Sequence, residues 1–354
     1  MRIAVIADDL TGAADTGVQL VRAGHRTAVA FRGERMDADA VVIDTDSRGL
    51  PAAEAAARVR TVQLAGAEIV MKKVDSTLRG PLAAEVEAAL AASGRTRAIV
   101  APAFPATGRT TVGGVQRLDG VPVHETRFAH DPVSPVHQSD LHELFPNADV
   151  RDAETDEDLE TIVRSVDDPS SVLWVGSAGL AAALGAVYPG PGVEEPEEDG
   201  PGGRVLVVVG SANATAREQI ARVCAPAVAM PLDGRDVSAQ VIDALHCARA
   251  CVLHPADGTG DPRVIAAALA ETAARAAPHL SGLVLTGGDT AVHVARRLGA
   301  TGLLVEDELE PGVVLGRLIG PNPFRIVTKA GGFGSPDALR RATAALAAGG
   351  RTRA

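Results

Sequence analysis

Short apolar runs recur along the chain, each followed by small and polar residues and then by a stretch with helical spacing. In the first half the runs fall at residues 3–7, 40–43, 69–71, 98–101 and 171–175. In the second half they fall at 205–209, 250–253, 282–285, 302–305 and 325–327. Continuous runs of three to five mostly apolar residues suit strands buried on both faces. Between them, residues 83–92, with Leu82 just before them, set Leu82, Val86, Ala89 and Leu90 on one helical face, and helices are expected at 215–223, 262–276, 290–298 and 336–347. Strands alternating with helices predict two α/β domains with mainly parallel sheets in three-layer α/β/α sandwiches.

Residues 189–203, "PGPGVEEPEEDGPGG", break this rhythm. Proline, glycine and acid side chains cannot build a core there, so the stretch reads as a linker. The expected domains are therefore 1–188 and 204–354. A chain of 354 residues suits two such domains.

Composition narrows the function. A formal charge of −11 with no basic stripe argues against a nucleic-acid partner. Aromatic residues at 2% leave few platforms for stacking bases or neutral sugars. Three cysteines, Cys224, Cys247 and Cys251, lack partners for a metal set and read as reduced thiols in a cytoplasmic protein. The amino-terminal residues do not have the layout of a signal peptide, and no apolar run is long enough for a membrane span.

In open parallel sheets, ligands bind where strand C-termini run into helix N-termini. The polar clusters fall at those positions. Asp8, Asp9 and Thr11 follow the first run. Two adjacent carboxylates are unattractive for stability alone. One of them can cap the coming helix, while the other handles a substrate hydroxyl or a cation. "KKVDSTLRG", residues 72–80, brings Lys72, Lys73, Asp75, Ser76, Thr77 and Arg79 to the same edge. Such cations bind carboxylate or phosphate, which points to an anionic small molecule. "FPATGRTT" adds Gly108 and Arg109. "GVPVHET" reads as a hairpin arm with a structural His124, and His130, His137 and His142 lack metal-ligand spacing.

The second half uses glycines and hydroxyls instead. "GSANAT" (210–215), "TGGDTA" (286–291) and "KAGGFG" (329–334) each follow an apolar run. Glycines let backbone amides approach a phosphate, so these loops suggest a nucleotide, although neither usual fingerprint is present.

Eight motifs stand in order from residue 6 to residue 334: "IADDLTGAADTG", "KKVDSTLRG", "APAFPATGRTT", "GVPVHET", "VGSAGLA", "GSANATAREQI", "LTGGDTA" and "KAGGFG". Together they resemble the four-carbon acid sugar kinase family. That resemblance implies an acid-sugar-binding first domain, a nucleotide-binding second domain, and phosphorylation of threonate, erythronate or 3-oxo-tetronate by ATP with Mg²⁺. It implies Arg79 with Lys72 or Lys73 on the substrate carboxylate, and Asp8, Asp9 and Asp75 in catalysis. Ser211, Gly287, Gly288, Asp289, Thr290, Lys329, Gly331, Gly332 and Gly334 would line the nucleotide site. Whether Asp8 and Asp9 act as base or hold metal stays open here, as does a homodimer. A non-catalytic sensor and an ATP-dependent ligase are the alternative readings.

Overall fold

A computed structural model describes residues 2–31, 33–64, 66–131, 133–193, 202–211 and 213–348. The chain divides into two units, Met1–Val193 and Glu194–Ala354. Residues 194–201 of the expected linker, and Ala212 of "GSANAT", lie outside the described residues.

The first unit runs β1 (Ile3–Ala7), α1 (Leu10–Arg22), β2 (Thr27–Phe31), β3 (Ala40–Asp44), α2 (Ala52–Arg60), β4 (Ile69–Lys73), α3 (Leu82–Ser93) and β5 (Arg97–Ala101). It continues with β6 (Arg109–Val112), β7 (Val115–Leu118), β8 (Val121–Pro122), α4 (Leu141–Leu144), β9 (Asp149–Val150), α5 (Asp156–Arg164), β10 (Val172–Gly176) and α6 (Ala178–Val187). Its main sheet has the order β2-β3-β1-β4-β10-β5-β9, with every pairing parallel. β1 lies between β3 and β4, with Ile3 opposite both Ala40 and Ile69. The loops that leave β1, β3 and β4 therefore meet at one edge, and that juxtaposition builds the site.

β1, β2, β4 and β10 are buried at every residue, as expected of strands covered by helices on both faces. Their side chains are mostly alanine, valine, leucine and isoleucine, with Phe31, Met71, Lys72, Lys73 and Trp174 as the large exceptions. β6, β7 and β8 form a separate antiparallel sheet, with Arg109 opposite Leu118. The hairpin arm expected from "GVPVHET" lies at its end.

The second unit runs β11 (Val205–Val209), α7 (Ala214–Arg222), β12 (Ala227–Met230), α8 (Ser238–Cys247), β13 (Ala250–Pro255), α9 (Pro262–Ala276), β14 (Gly282–Thr286) and α10 (Gly288–Arg297). It ends with β15 (Gly302–Glu310), β16 (Val313–Ile319), β17 (Arg325–Lys329) and α11 (Ala338–Ala348). The order β12-β13-β11-β14-β17 is parallel, and β16 and β15 then add antiparallel strands.

Both units are α/β with mainly parallel sheets. The structure adds β2, β6, β7, β9, β12 and β16, which the apolar pattern did not single out. It also extends β15 from the expected four residues to nine, with two register shifts where it pairs with β16. Among the described residues no helix is long and apolar enough to cross a membrane.

Candidate active site

Asp8 and Asp9 follow the last residue of β1, where the backbone turns into α1. Asp9 caps that helix: its carboxylate accepts from Gly12 N at 3.0 Å and from Thr11 Oγ1 at 2.5 Å. The capping role weighed for this pair is thus present, and it belongs to Asp9.

What holds the two charges together is Arg48, from the loop after β3. Its Nε and Nη2 donate to Asp8 at 2.6 and 2.9 Å, and its Nη1 and Nη2 donate to Asp9 at 2.8 and 2.7 Å. One planar guanidinium spans both carboxylates, a geometry that an ammonium cannot supply. Lys73 Nζ stands 3.6 Å from Asp8 and 3.9 Å from Asp9. Gly12 allows that approach, because a Cβ there would overlap the lysine amine. Two carboxylates face two cations, so the cluster is near neutral.

Asp8 has no exposed side-chain surface, whereas the Asp9 side chain is 20% exposed. Burial alone would raise the Asp8 carboxyl. Arg48, Lys73 and Lys72 outweigh burial and hold it well below the usual carboxylate range.

A second cluster adjoins the first. Arg79 Nε and Nη2 grip Asp75 at 2.9 and 3.0 Å, and Arg48 Nη2 lies 3.9 Å from the same carboxylate. Thr77 Oγ1 also donates to Asp75. Despite its burial, Asp75 is held well below its ordinary range by Arg79 and Arg48. The far side of Arg79 reaches Asp131 at 3.6 Å, and its guanidinium stacks over Phe128 at 5.3 Å. Leu78 takes a left-handed φ of 61°, a strained turn that sets the direction of Arg79.

Ser76 is partly exposed in this loop, and its carbonyl accepts from Gln116 of β7 at 2.8 Å. Gly108 precedes β6 against Asp119. Arg109 is partly buried and donates to Thr107 O, while its buried Nε has no hydrogen-bond partner among the described residues. Burial lowers its pKa, with Asp75 and Asp119 opposing.

Lys72 is placed differently from the expectation. The sequence pattern ended the strand at Met71 and set both lysines in a loop. In the structure β4 includes them, and alternation along a strand sends neighbours to opposite faces. Lys73 joins Asp8 and Asp9, while Lys72 is enclosed against Glu85 of α3 at 3.0 Å, with no exposed surface on either side chain. A clamp built on Lys72 is therefore set aside.

In the second unit, the three glycine loops meet at the C-terminal edge of β11, β14 and β17. Gly287 N donates to Lys329 O at 3.0 Å, and Gly210 N donates to Thr286 O at 3.2 Å. Gly331 lies against Ser211, where a Cβ would collide with the hydroxyl, and Gly332 lies beside Asn213. Gly287 precedes α10, so Gly288, Asp289 and Thr290 form its first turn.

Gly334 turns instead toward Glu310, which accepts from Ser335 N and Oγ, both at 2.9 Å. Lys329 is buried, and its Nζ has no hydrogen-bond partner among the described residues. Burial pulls its pKa down to about 8, with Glu310 opposing. An unpartnered buried amine beside three close-approach glycine loops fits the phosphates of a nucleotide.

Arg48, Gln116, Phe128, Asp131 and Glu85 were not anticipated from sequence. Arg48 carried a usable signal: "DTDSRG" is a polar turn directly after an apolar run.

A sheet edge carrying a guanidinium-bound carboxylate pair, and a second domain whose glycine loops converge beside a buried lysine, fit a two-domain kinase of small acids. Residues 3–149 match the family model of a sugar-binding N-terminal domain, and residues 206–339 match that of a nucleotide-binding C-terminal domain. The chain belongs to the four-carbon acid sugar kinase family.

It is 38% identical to a D-threonate kinase of Bordetella bronchiseptica, covering 97% of each chain. It is 33% identical to a D-threonate kinase of Salmonella typhimurium, with 96% of this chain and 97% of that one covered. A D-erythronate kinase of Heliobacterium modesticaldum is 32% identical over 95% of each. A crystal structure from Salmonella typhimurium shares the fold at TM-score 0.82 and 23% identity, covering 97% of this chain and 98% of that one. A Bordetella bronchiseptica structure, described as a citrate-bound, domain-swapped dimer, is 37% identical at TM-score 0.50, covering 99% of this chain and all of that one.

Proposed function

We propose that this phosphotransferase moves the terminal phosphoryl group of ATP to a hydroxyl of D-threonate, within the wider class of four-carbon sugar acids on which its family acts. The preference for D-threonate rests on the relatives at 38% and 33% identity, both D-threonate kinases. The observation that carries the site assignment is Asp9, a partly exposed carboxylate held at the C-terminus of β1 by Arg48.

In this reading Asp9 orients the acceptor hydroxyl. A carboxylate gripped by a guanidinium is a weak base, but a loose phosphoryl-transfer transition state asks chiefly for positioning and charge stabilisation. Asp8 holds Arg48, and Asp75 holds Arg79. Arg79, Arg109 and Lys73 face the acid's carboxylate, with Thr11, Ser76 and Thr77 supplying hydroxyls and Gly108 setting the turn into Arg109. Lys329, Ser211, Gly287, Gly288, Asp289, Thr290, Gly331 and Gly332 hold the nucleotide, and Gly334 shapes their loop.

Mg²⁺ enters this reading only as the ion that accompanies ATP phosphates. The Asp8–Asp9 pair does not fit it as a ligand set, because Arg48 binds all four carboxylate oxygens within 2.9 Å and its charge repels a second cation there, a repulsion that a neutral hydroxyl does not meet. The described residues also hold no cluster of three or more His, Cys, Asp or Glu suited to a metal. We also propose a homodimer, on the likeness to the Bordetella dimer.

The test is a panel of D-threonate, D-erythronate and 3-oxo-tetronate with ATP and Mg²⁺, read as ADP release. The highest kcat/KM is expected with D-threonate. Absence of ADP with every acid overturns the assignment, and AMP release identifies ligase chemistry instead.

A further inference from the structure

The Lys72–Glu85 pair has no part in the site as assigned above. Neither side chain has exposed surface, and Nζ stands 3.0 Å from Glu85 Oε2 as an ion pair rather than an aligned hydrogen bond. Nζ also donates to Lys73 O at 2.7 Å. Desolvating both ions is costly, and an apolar pair of similar volume often stabilises a core as well or better. Stability is thus a poor account of their presence.

Their other contacts supply a better one. Glu85 Oε1 accepts from Ser47 Oγ at 2.5 Å, and that hydroxyl lies 2.7 Å from Thr45 Oγ1. The single Thr45 hydroxyl proton is shared between Ser47 Oγ and Ala7 O, which also lies 2.7 Å away. The backbone amides of Ser47 and Arg48 both donate to Asp8 O, at 2.8 and 3.2 Å. A buried line therefore runs from α3 under the sheet edge to the loop that carries Arg48. Lys72, bonded to its neighbour's carbonyl, ties the same line to the strand that presents Lys73.

We propose that Glu85 is a positioning residue for the acid site, with Lys72 balancing its buried charge. Glu85 fixes Ser47, Ser47 fixes the turn at 45–48, and that turn delivers the Arg48 guanidinium to both carboxylates at once. Four hydrogen bonds of 2.6 to 2.9 Å need the guanidinium plane placed closely. A loosened turn releases Asp9, the carboxylate that meets the substrate. The assignment rests on the reading that the acid binds beside Asp9.

Three variants test it: Ser47→Ala, the double Lys72→Met/Glu85→Leu, and the double Lys72→Met/Glu85→Gln, which keeps an acceptor for Ser47 without the charges. Each is assayed for KM of acid and of ATP, and for folding by fluorescence of Trp174. In Ser47→Ala and Lys72→Met/Glu85→Leu the acid KM is expected to rise about tenfold, as for displaced positioning groups, with the ATP KM unchanged. Lys72→Met/Glu85→Gln is expected to return the acid KM close to the wild-type value. Wild-type acid KM in the first two variants, or equal losses for acid and ATP, overturns the proposal. If Lys72→Met/Glu85→Leu does not fold, Ser47→Ala decides alone. A wild-type enzyme that turns over no acid refutes the substrate reading itself, an outcome visible before any variant is made.

Discussion

Replacing Arg48 by Met keeps much of the side chain's volume and removes the charge that spans Asp8 and Asp9. In the native unit four hydrogen bonds join the guanidinium to the carboxylates, the Asp8 side chain has no exposure, and the Arg48 side chain has 17%. Removing one partner of a buried pair costs roughly 3–5 kcal/mol, because the remaining charge is stranded. Lys73, 3.6 Å from Asp8, still offsets part of that charge. The expected loss is therefore near the lower end, about 3 kcal/mol.

The pH dependence should change sign. In the wild type Asp8 lies below its ordinary value of 3.8, so it stabilises the fold above that pH and loses the contribution as pH falls further. In Arg48→Met burial, the largest single influence on Asp8, loses its strongest opponent, so the carboxyl is expected to rise above its unfolded value even against Lys73 and Lys72. The folded state then binds more protons, so stability increases as pH falls from neutral toward about 4. Trp174 is the chain's single tryptophan and is buried in β10, so its fluorescence during urea unfolding follows the first unit. The double variant Asp8→Asn/Arg48→Met should recover more than half of the loss. Stability within about 0.5 kcal/mol of wild type at both pH 5 and pH 7.5, the usual scatter for surface changes, would refute the reasoning.

Three further outcomes follow from the same geometry. Asp9→Asn keeps a good helix cap, so unfolding should move little while kcat falls by about 100-fold, the low end for a catalytic carboxylate; normal kcat removes Asp9 from the mechanism. Arg79→Lys loses the bidentate grip on Asp75, and Arg109→Ala loses a cation; each should raise the acid KM about tenfold with the ATP KM steady, and the reverse pattern sinks the clamp. Lys329 titrates near pH 8 when buried and without nucleotide, against an ordinary 10.5. Between those values the unfolded chain binds the extra proton, so the empty second unit should gain stability as pH rises through that window. Nucleotide affinity should fall over the same range as the amine loses its charge, and a flat ATP KM from pH 7 to 9.5 contradicts the assignment.

The alternation of apolar runs and helices carried most of the fold because strands covered on both faces leave a continuous signature. β12 escaped notice because its burial alternates, as an edge strand's does, and β16 because it returns antiparallel without a helix between. The site was legible only by position. Adjacent carboxylates at a strand end were visible, but their partner arrives from β3, which lies beside β1 only because the sheet places Asp44 opposite Ala7. No spacing along the chain encodes that register.

Lys72 and Lys73 are alike as letters, and their fates diverge because the strand runs two residues further than its apolar part. Glu85 left a clue in the helix that follows. It falls among Leu82, Val86 and Ala89, all buried, so a charge at that position has to meet another inside the protein. A lysine at the end of the preceding strand is its nearest candidate. Read together, a charged residue on a core-facing helix stripe and a lysine at the preceding strand end predict a buried pair, and the polar turn beside them marks what that pair holds in place.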